Sequence, residues 1–510
     1  VQQGPAPADQ AMAPAPTAST PGEQVEATRA ADATEPEAGQ EPQPALRRRR
    51  RRILIGSAVA VVAVVGVTGG LYGTPLASKL GLAGPTTQAP SPPQSPQAAL
   101  RPVGADGPAP TPQGVAAALQ QVLANPALGT LTGRIVDPAT GQVLWERDAG
   151  RPMTPASSNK IITAAAALLA LDPNSRLTTK VVEGPEPGTI VLVGGGDPTL
   201  SLQPDGKESV YPGAAKLQDL VNKVKAAGVP VRKVLVDTSR YTADNWLSSW
   251  EKSDIVGGDI TYVAPVMLDG GREDATNPES RRTDRPAVSA GRHLAQALDA
   301  DLNSVAAGKA PANSKVIAEV RSPSIQQLVD NALLISDNVL AETLAREVAR
   351  AKGKEPSFSG ARQAVQEVLS QNGFDLTGWT MADGSGLSTE NKVPARLLSD
   401  ILAVAAAPDG SARADQRTPK LRPLLTGLPV AGGSGTLAGR YQNGNSAQGK
   451  GWVRAKTGTL TKVNSLSGIV LDADNRLLAF SLLSNGSDME PGRAALDAVA
   501  ATLRECGCQR

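Results

Sequence analysis

The chain has 510 residues, and 51 Lys and Arg against 49 Asp and Glu give a formal net charge of +2. That length allows two or three domains, and the near-neutral balance argues against a nucleic-acid partner. One histidine, His293, and two cysteines, Cys506 and Cys508, are too few ligands for a zinc site and leave only His293 for a Ser-His-Asp triad.

Residues 1–46 are rich in Ala, Pro, Gln, Glu and Thr and cannot bury a core, so a disordered tail is expected. Residues 47–52 are all arginine, and residues 53–71 carry no charge. At ~1.5 Å per residue such a helix spans roughly 28 Å, close to a bilayer core. Residues 47–72 are therefore expected to be a single transmembrane anchor. The arginines put its N-terminus in the cytoplasm and the rest of the chain outside. Secretion after signal cleavage is the alternative. Residues 84–114 are dense in Pro, Gln and Ser and read as an extended linker reaching up to ~90 Å.

The folded part is expected from about Val115, with a helix at 115–123 and strands at 130–136 and 142–147. Ser157-Ser158-Asn159-Lys160 then opens an apolar run that reads as a helix buried in a domain centre. At a helix N-terminus, free N–H groups and the macrodipole favour negative charge on the Ser157 oxygen. Lys160 stands one turn away on the same face. With histidine so scarce, lysine is the expected base for a serine nucleophile.

Strands at 178–183, 189–193 and 233–236 and a helix at 216–227 belong to a stretch of different texture, 172–318, read as an insertion. Within it, residues 241–284 look polar and irregular. Gly194-Gly195-Gly196 lacks the Lys-Ser/Thr ending of a phosphate loop and reads as a tight turn. Helices follow at 325–334, 339–351, 361–371 and 395–406. Strands at 452–456, 464–472 and 477–483 and a helix at 492–504 close the chain. Two early and three late strands predict one antiparallel five-stranded sheet flanked by helices. The class is α+β, with 115–171 and 319–505 as the main domain and 172–318 as an inserted smaller one.

Three short motifs stand in order: Ser157-x-x-Lys160, Ser336-Asp337-Asn338 and Lys456-Thr457-Gly458. Each alone has a bland reading. Ser249-Trp250-Glu251-Lys252 repeats the first spacing by chance. Ser336-Asp337-Asn338 could cap the following helix. Lys456-Thr457-Gly458 could be an ordinary strand end, and Asp383-Gly384-Ser385-Gly386 only a turn. Glu342 and Glu347 read as solvated helix faces. Cys506-Gly507-Cys508 reads as a surface pair that can form a strained disulfide.

In order and context these motifs resemble those of the penicillin-recognising serine peptidases. Within that group the chain is similar to the D-alanyl-D-alanine carboxypeptidases/endopeptidases of the class C low-molecular-mass type, peptidase family S13. The resemblance runs from about Val115 to Leu503. Its carriers are PASSNKIITAAAAL (155–168), GGGDPTL (194–200), SDNVLAE (336–342), DGSGLS (383–388) and KTGTL (456–460). It implies a β-lactamase/transpeptidase-like fold and a site without metal or cofactor. It makes Ser157 the acylated nucleophile and Lys160 its base. Ser336 would relay a proton to the leaving amine, and Asn338 would hold Lys160 and the substrate amide. Lys456, with Thr457, Gly458 and Thr459, would bind the peptide's terminal carboxylate. The N–H groups of Ser157 and Thr459 would form the oxyanion hole.

The implied substrates are peptidoglycan stem peptides ending in D-Ala-D-Ala, with β-lactams as covalent inhibitors. A β-lactamase on the same scaffold is disfavoured because no separate glutamate motif stands between the first two motifs. A non-catalytic wall-binding receptor is disfavoured because every expected catalytic side chain is present. The span from Ser157 to Ser336 exceeds what a β-lactamase-like core needs, yet is short for this family's insertion, so one inserted subdomain is expected to be reduced or absent.

Overall fold

The computed structural model describes residues 107–508. The tail, the arginine-flanked span and most of the linker lie outside them. Among the described residues no helix is long and apolar enough to cross a membrane. The linker's last residues are ordered rather than extended. Thr111 caps a helix at Pro112–Leu119 by accepting from Gly114 N–H at 3.0 Å, with proline in the first turn, where its missing N–H costs nothing. The Thr111 N–H also donates to the Cys508 carbonyl at 2.6 Å, tying this helix to the end of the fold. Cys506 and Cys508 form a disulfide.

The predicted five-stranded sheet is present and antiparallel. Its order is Val453–Leu460, Val463–Leu471, Leu477–Asn485, Thr130–Val136, Val143–Arg147, so the last three strands and the first two meet in one sheet. Side chains alternate across it. Phe480 and Leu482 enter a core shared with Val115, Leu119, Leu496 and Val499, while Ala479 and Leu483 enter the larger core on the opposite face. Lys160–Ala170 is central to that larger core, packing against Ile325–Leu334, Asn338–Ala351 and Phe358–Gln371. Its residues from Lys160 to Leu168 are all buried, which explains a sequence with no polar stripe.

The stretch after this helix builds a second sheet with its own core. The strand order is Ala306–Ala307, Lys233–Asp237, Thr189–Val193, Arg176–Glu183, Val316–Ser324. Unlike the first, this sheet is mixed: Thr189–Val193, Lys233–Asp237 and Ala306–Ala307 run parallel, and the other pairs are antiparallel. The helices Leu217–Ala226 and Pro286–Ala297 bury Leu220, Val224 and Leu294 with its strands. Val316–Ser324 was not anticipated, and it crosses the 318/319 boundary drawn from composition. It runs straight into Ile325–Leu334 through a capping box between Ser324 and Gln327.

Candidate active site

Ser157 lies in a 3₁₀ turn, Ala156–Asn159, that leads into Lys160–Ala170. Ala156 holds φ +47°, a left-handed conformation unusual for a residue with a Cβ. The turn is pinned from the sheet: Ser465 Oγ donates to the Pro155 carbonyl at 2.6 Å and lies 2.8 Å from Ser158 Oγ. Ser157 stays half-buried, open to a reactant.

The Lys160 amine is buried and donates three hydrogen bonds: to Ser157 Oγ at 2.8 Å, Asn338 Oδ1 at 2.6 Å and the Ser385 carbonyl at 2.8 Å. Burial lowers its pKa to about 8, against the opposing pull of Asp383, Asp337, Glu342 and Asp259. The Lys456 amine is also buried and donates to Ser336 Oγ and the Thr457 carbonyl, both at 2.8 Å. Burial, then the charges of Lys160 and Arg440, drive its pKa well below the usual lysine value. The site therefore holds two Ser–Lys pairs, 157–160 and 336–456, with Asn338 beside the first.

Lys456-Thr457-Gly458 does not end its strand; the strand continues to Leu460. It is an edge strand, and Ala455 N–H donates outward to the Pro429 carbonyl. By the two-residue alternation of a strand, the N–H groups of Thr457 and Thr459 face that same open edge. A Cβ on Gly458 would lie 2.7 Å from the Pro155 carbonyl oxygen, so glycine lets the strand approach the turn that carries Ser157. Thr457 Oγ1 is 2.8 Å from Thr436 Oγ1, and Thr459 Oγ1 accepts from Arg493 Nε at 3.1 Å.

Several residues here were missed or misread. Glu342 and Glu347 are buried, not solvated. Glu347 takes a two-point ion pair from Arg240, at 2.9 and 2.6 Å, and the Tyr241 hydroxyl at 2.8 Å. Glu342 accepts the Ser385 N–H at 2.8 Å and pairs with Arg346 at 3.4 Å; burial raises its pKa to about 7. Ser385 belongs to DGSGLS, which is therefore more than a turn: its carbonyl holds Lys160. Asp383 folds that loop by accepting from Gly386 N, Ser388 N and Trp250 Nε1. Gly386 has φ +85°, and a Cβ there would sit 2.0 Å from the Ala156 carbonyl oxygen. Gly386→Ala is expected to cost ~1–3 kcal/mol from backbone strain alone. It should also slow reaction at Ser157 by displacing the turn, as read by thermal melts and acylation rates.

Asp337 does cap its helix, accepting Leu340 N–H at 2.9 Å, and it also receives Arg272, Arg282 and Tyr211 from the inserted segment. Burial opposes its ionisation, but the two guanidiniums win and hold its carboxyl far below the usual range. Asp337→Ala would leave both guanidiniums buried without their anion. The expected loss is ~3–5 kcal/mol, measurable by denaturant unfolding. Ser336, just before it, holds φ +60°.

The other candidates fall away. His293 sits on the insertion helix and hydrogen-bonds the Ser289 carbonyl at 2.9 Å. Lys252 reaches Tyr262, not Ser249. A Cβ on Gly195 would lie 1.8 Å from the Thr178 carbonyl oxygen, so glycine there lets the chain lie against the neighbouring strand. Among the described residues no acidic, His or Cys cluster could hold a metal.

The sequence profile of the D-Ala-D-Ala carboxypeptidase 3 (S13) family matches residues 115–277 and 270–506. Carboxypeptidase DacB of Mycolicibacterium smegmatis is 44% identical over 464 residues, covering 90% of this chain and 98% of that protein. Carboxypeptidase Rv3627c of Mycobacterium tuberculosis is 44% identical over 427 residues, covering 82% and 91%. Penicillin binding protein 4 (dacB) of Haemophilus influenzae superposes with a TM-score of 0.62 at 21% identity, over 78% of this chain and 99% of that one; at that identity the likeness is one of fold. The same protein has also been solved with a β-lactam, with a TM-score of 0.55 at 21% identity over 76% and 98%. The chain belongs to the S13 family of D-Ala-D-Ala carboxypeptidases and has the penicillin-binding-protein fold.

Proposed function

We propose that this chain is a serine-type D-Ala-D-Ala carboxypeptidase, D,D-endopeptidase, or both, acting on peptidoglycan stem peptides through an acyl-enzyme on Ser157. The observation that carries this reading is the 2.8 Å contact between Ser157 Oγ and a buried Lys160 amine whose proton is loosely held. Neutral Lys160 takes the hydroxyl proton as Oγ bonds to the carbonyl carbon of the penultimate D-alanine. The oxyanion is met by the N–H groups of Ser157 and Thr459. The C–N bond then breaks, and the leaving amine takes a proton through Ser336. Water hydrolyses the ester with the same groups in reverse.

Lys456, pushed toward neutrality by burial and by the neighbouring cations, gains charge when the substrate's terminal carboxylate lies beside it, because an adjacent anion favours the protonated form. Thr457 and Thr459 add hydrogen-bond donors, and Gly458 leaves room for the ligand. Asn338 keeps Lys160 aimed and meets the substrate amide. β-Lactams would acylate the same oxygen.

The arginine run and apolar stretch at 47–71 support a membrane anchor with the catalytic part outside the cell, where this substrate lies. Incubation with intact and crosslinked muropeptides, read by mass spectrometry, tests the reading. Loss of one alanine or scission of dimers is expected. Unchanged muropeptides, or rapid penicillin turnover without a lasting adduct, would refute it.

A further inference from the structure

The inserted segment is joined to the second motif at its most buried point. One oxygen of Asp337, Oδ1, caps the helix of Asn338. The other, Oδ2, gathers three donors from the insertion: Arg272 Nη2 at 2.7 Å, Tyr211 OH at 2.8 Å and Arg282 Nη2 at 3.3 Å. Arg272 also donates to Tyr211 OH at 2.5 Å, so carboxylate, phenol and guanidinium close a three-membered ring. Arg282 also donates through Nη1 and Nε to two loop carbonyls, Gly270 at 2.6 Å and Gly258 at 2.8 Å. The loop fixed at Gly258 continues to Asp259, whose carbonyl accepts Asn338 Nδ2 at 3.0 Å. Asn338 Oδ1 in turn accepts from Lys160. Ser336 and Asn338 therefore flank a residue locked from the insertion, and Ser336 keeps an unfavourable left-handed backbone there.

We propose that Arg272 and Arg282 are positioning residues that hold Ser336-Asp337-Asn338 in register with the Ser157–Lys160 pair. This rests on the proposed acylation of Ser157. Neutralising a buried carboxylate needs only one positive charge nearby. Two planar guanidiniums, one bridging Asp337 and Tyr211 and the other bridging Asp337 and two loop carbonyls, fix direction as well as charge. The insertion then contributes to the chemistry and not only to the outline of the cleft.

The effect also has an electrostatic sign. Lys160 is faced by the carboxylates of Asp337, Asp383, Glu342 and Asp259, which favour its protonated form, and its charge is in turn felt by Lys456. Arg272 and Arg282 offset Asp337. Removing one of them leaves more net negative field at Lys160 and moves its titration upward.

The test measures acylation of the full chain by a fluorescent penicillin against pH, for wild type, Arg272→Lys, Arg272→Met and the charge-compensated pair Arg272→Met with Asp337→Asn. Arg272→Lys keeps a cation but loses the fork; it is expected to acylate at least tenfold more slowly with a near-native melting temperature. The compensated pair is expected to fold and still acylate slowly, so misfolding of Arg272→Met alone does not decide the matter. In Arg272→Met, where folded, the acid limb of the profile moves to higher pH. If wild type does not label at all, the acylation reading itself fails. If wild type labels, and Arg272→Lys and the compensated pair label within twofold of it with unmoved profiles, the positioning role is overturned.

Discussion

Ser157→Ala is expected to abolish both D-alanine release and penicillin labelling, with a loss in kcat on the order of 10⁶-fold, as when other serine hydrolases lose their nucleophile. The reason is local. The only hydroxyl among the three groups that accept from Lys160 is that of Ser157; the others are an amide oxygen and a carbonyl. Among the described residues, no second hydroxyl is hydrogen-bonded to the Lys160 amine. Ser336 Oγ is held by a different amine, that of Lys456. Because Ser157 is half-buried within its turn, removing its Oγ should leave the fold intact. A melting curve close to wild type, with no measurable turnover, is the expected pair of results. Retained labelling with unchanged stability would place the nucleophile elsewhere.

Lys160→Met is expected to slow acylation by roughly 10²–10⁴-fold, the usual contribution of a general base. The pH dependence gives the sharper form. Only the neutral amine accepts a proton, and burial has brought its pKa to about 8. Acylation should therefore rise with pH through about 8 and fall away below it. Lys160→Arg should not restore activity, since a guanidinium stays protonated. The same burial has a stability consequence. Between about 8 and the ordinary 10.5, the unfolded chain binds this proton and the native one does not. Stability contributed by this group should thus rise with pH across that window. Acylation rates from pH 6 to 10, with melts on the same samples, check both. A flat profile would transfer the base role to the Ser336–Lys456 pair.

The three motifs were legible because each is short and its chemistry is carried by side-chain type. Ser157 and Lys160 are one helical turn apart, so their contact follows from local geometry. The antiparallel sheet was legible from alternating apolar strands at both ends of the folded part. What failed was long-range. Nothing near Asp337 announces Arg272 or Arg282, which come from a polar stretch with no periodic pattern. Glu342 and Glu347 look like solvated positions because charged residues on helices usually are; their partners Arg240, Tyr241 and the Ser385 amide lie far away in sequence. Val316–Ser324 was hidden by Glu319, Arg321 and Pro323, which break the apolar run although Ala318, Val320 and Ser322 point inward. The strand expected at 452–456 stopped short of Gly458, whose missing side chain lets Val453–Leu460 run on close against the Pro155 carbonyl.

The central claim is that Ser157 forms the acyl-enzyme. Peptide mapping of the full chain after brief exposure to penicillin tests it most directly. The account predicts a single adduct, on the peptide carrying Ser157-Ser158-Asn159-Lys160 and on the Ser157 oxygen within it. An adduct on Ser336 or any other residue, or no adduct at all, would contradict it.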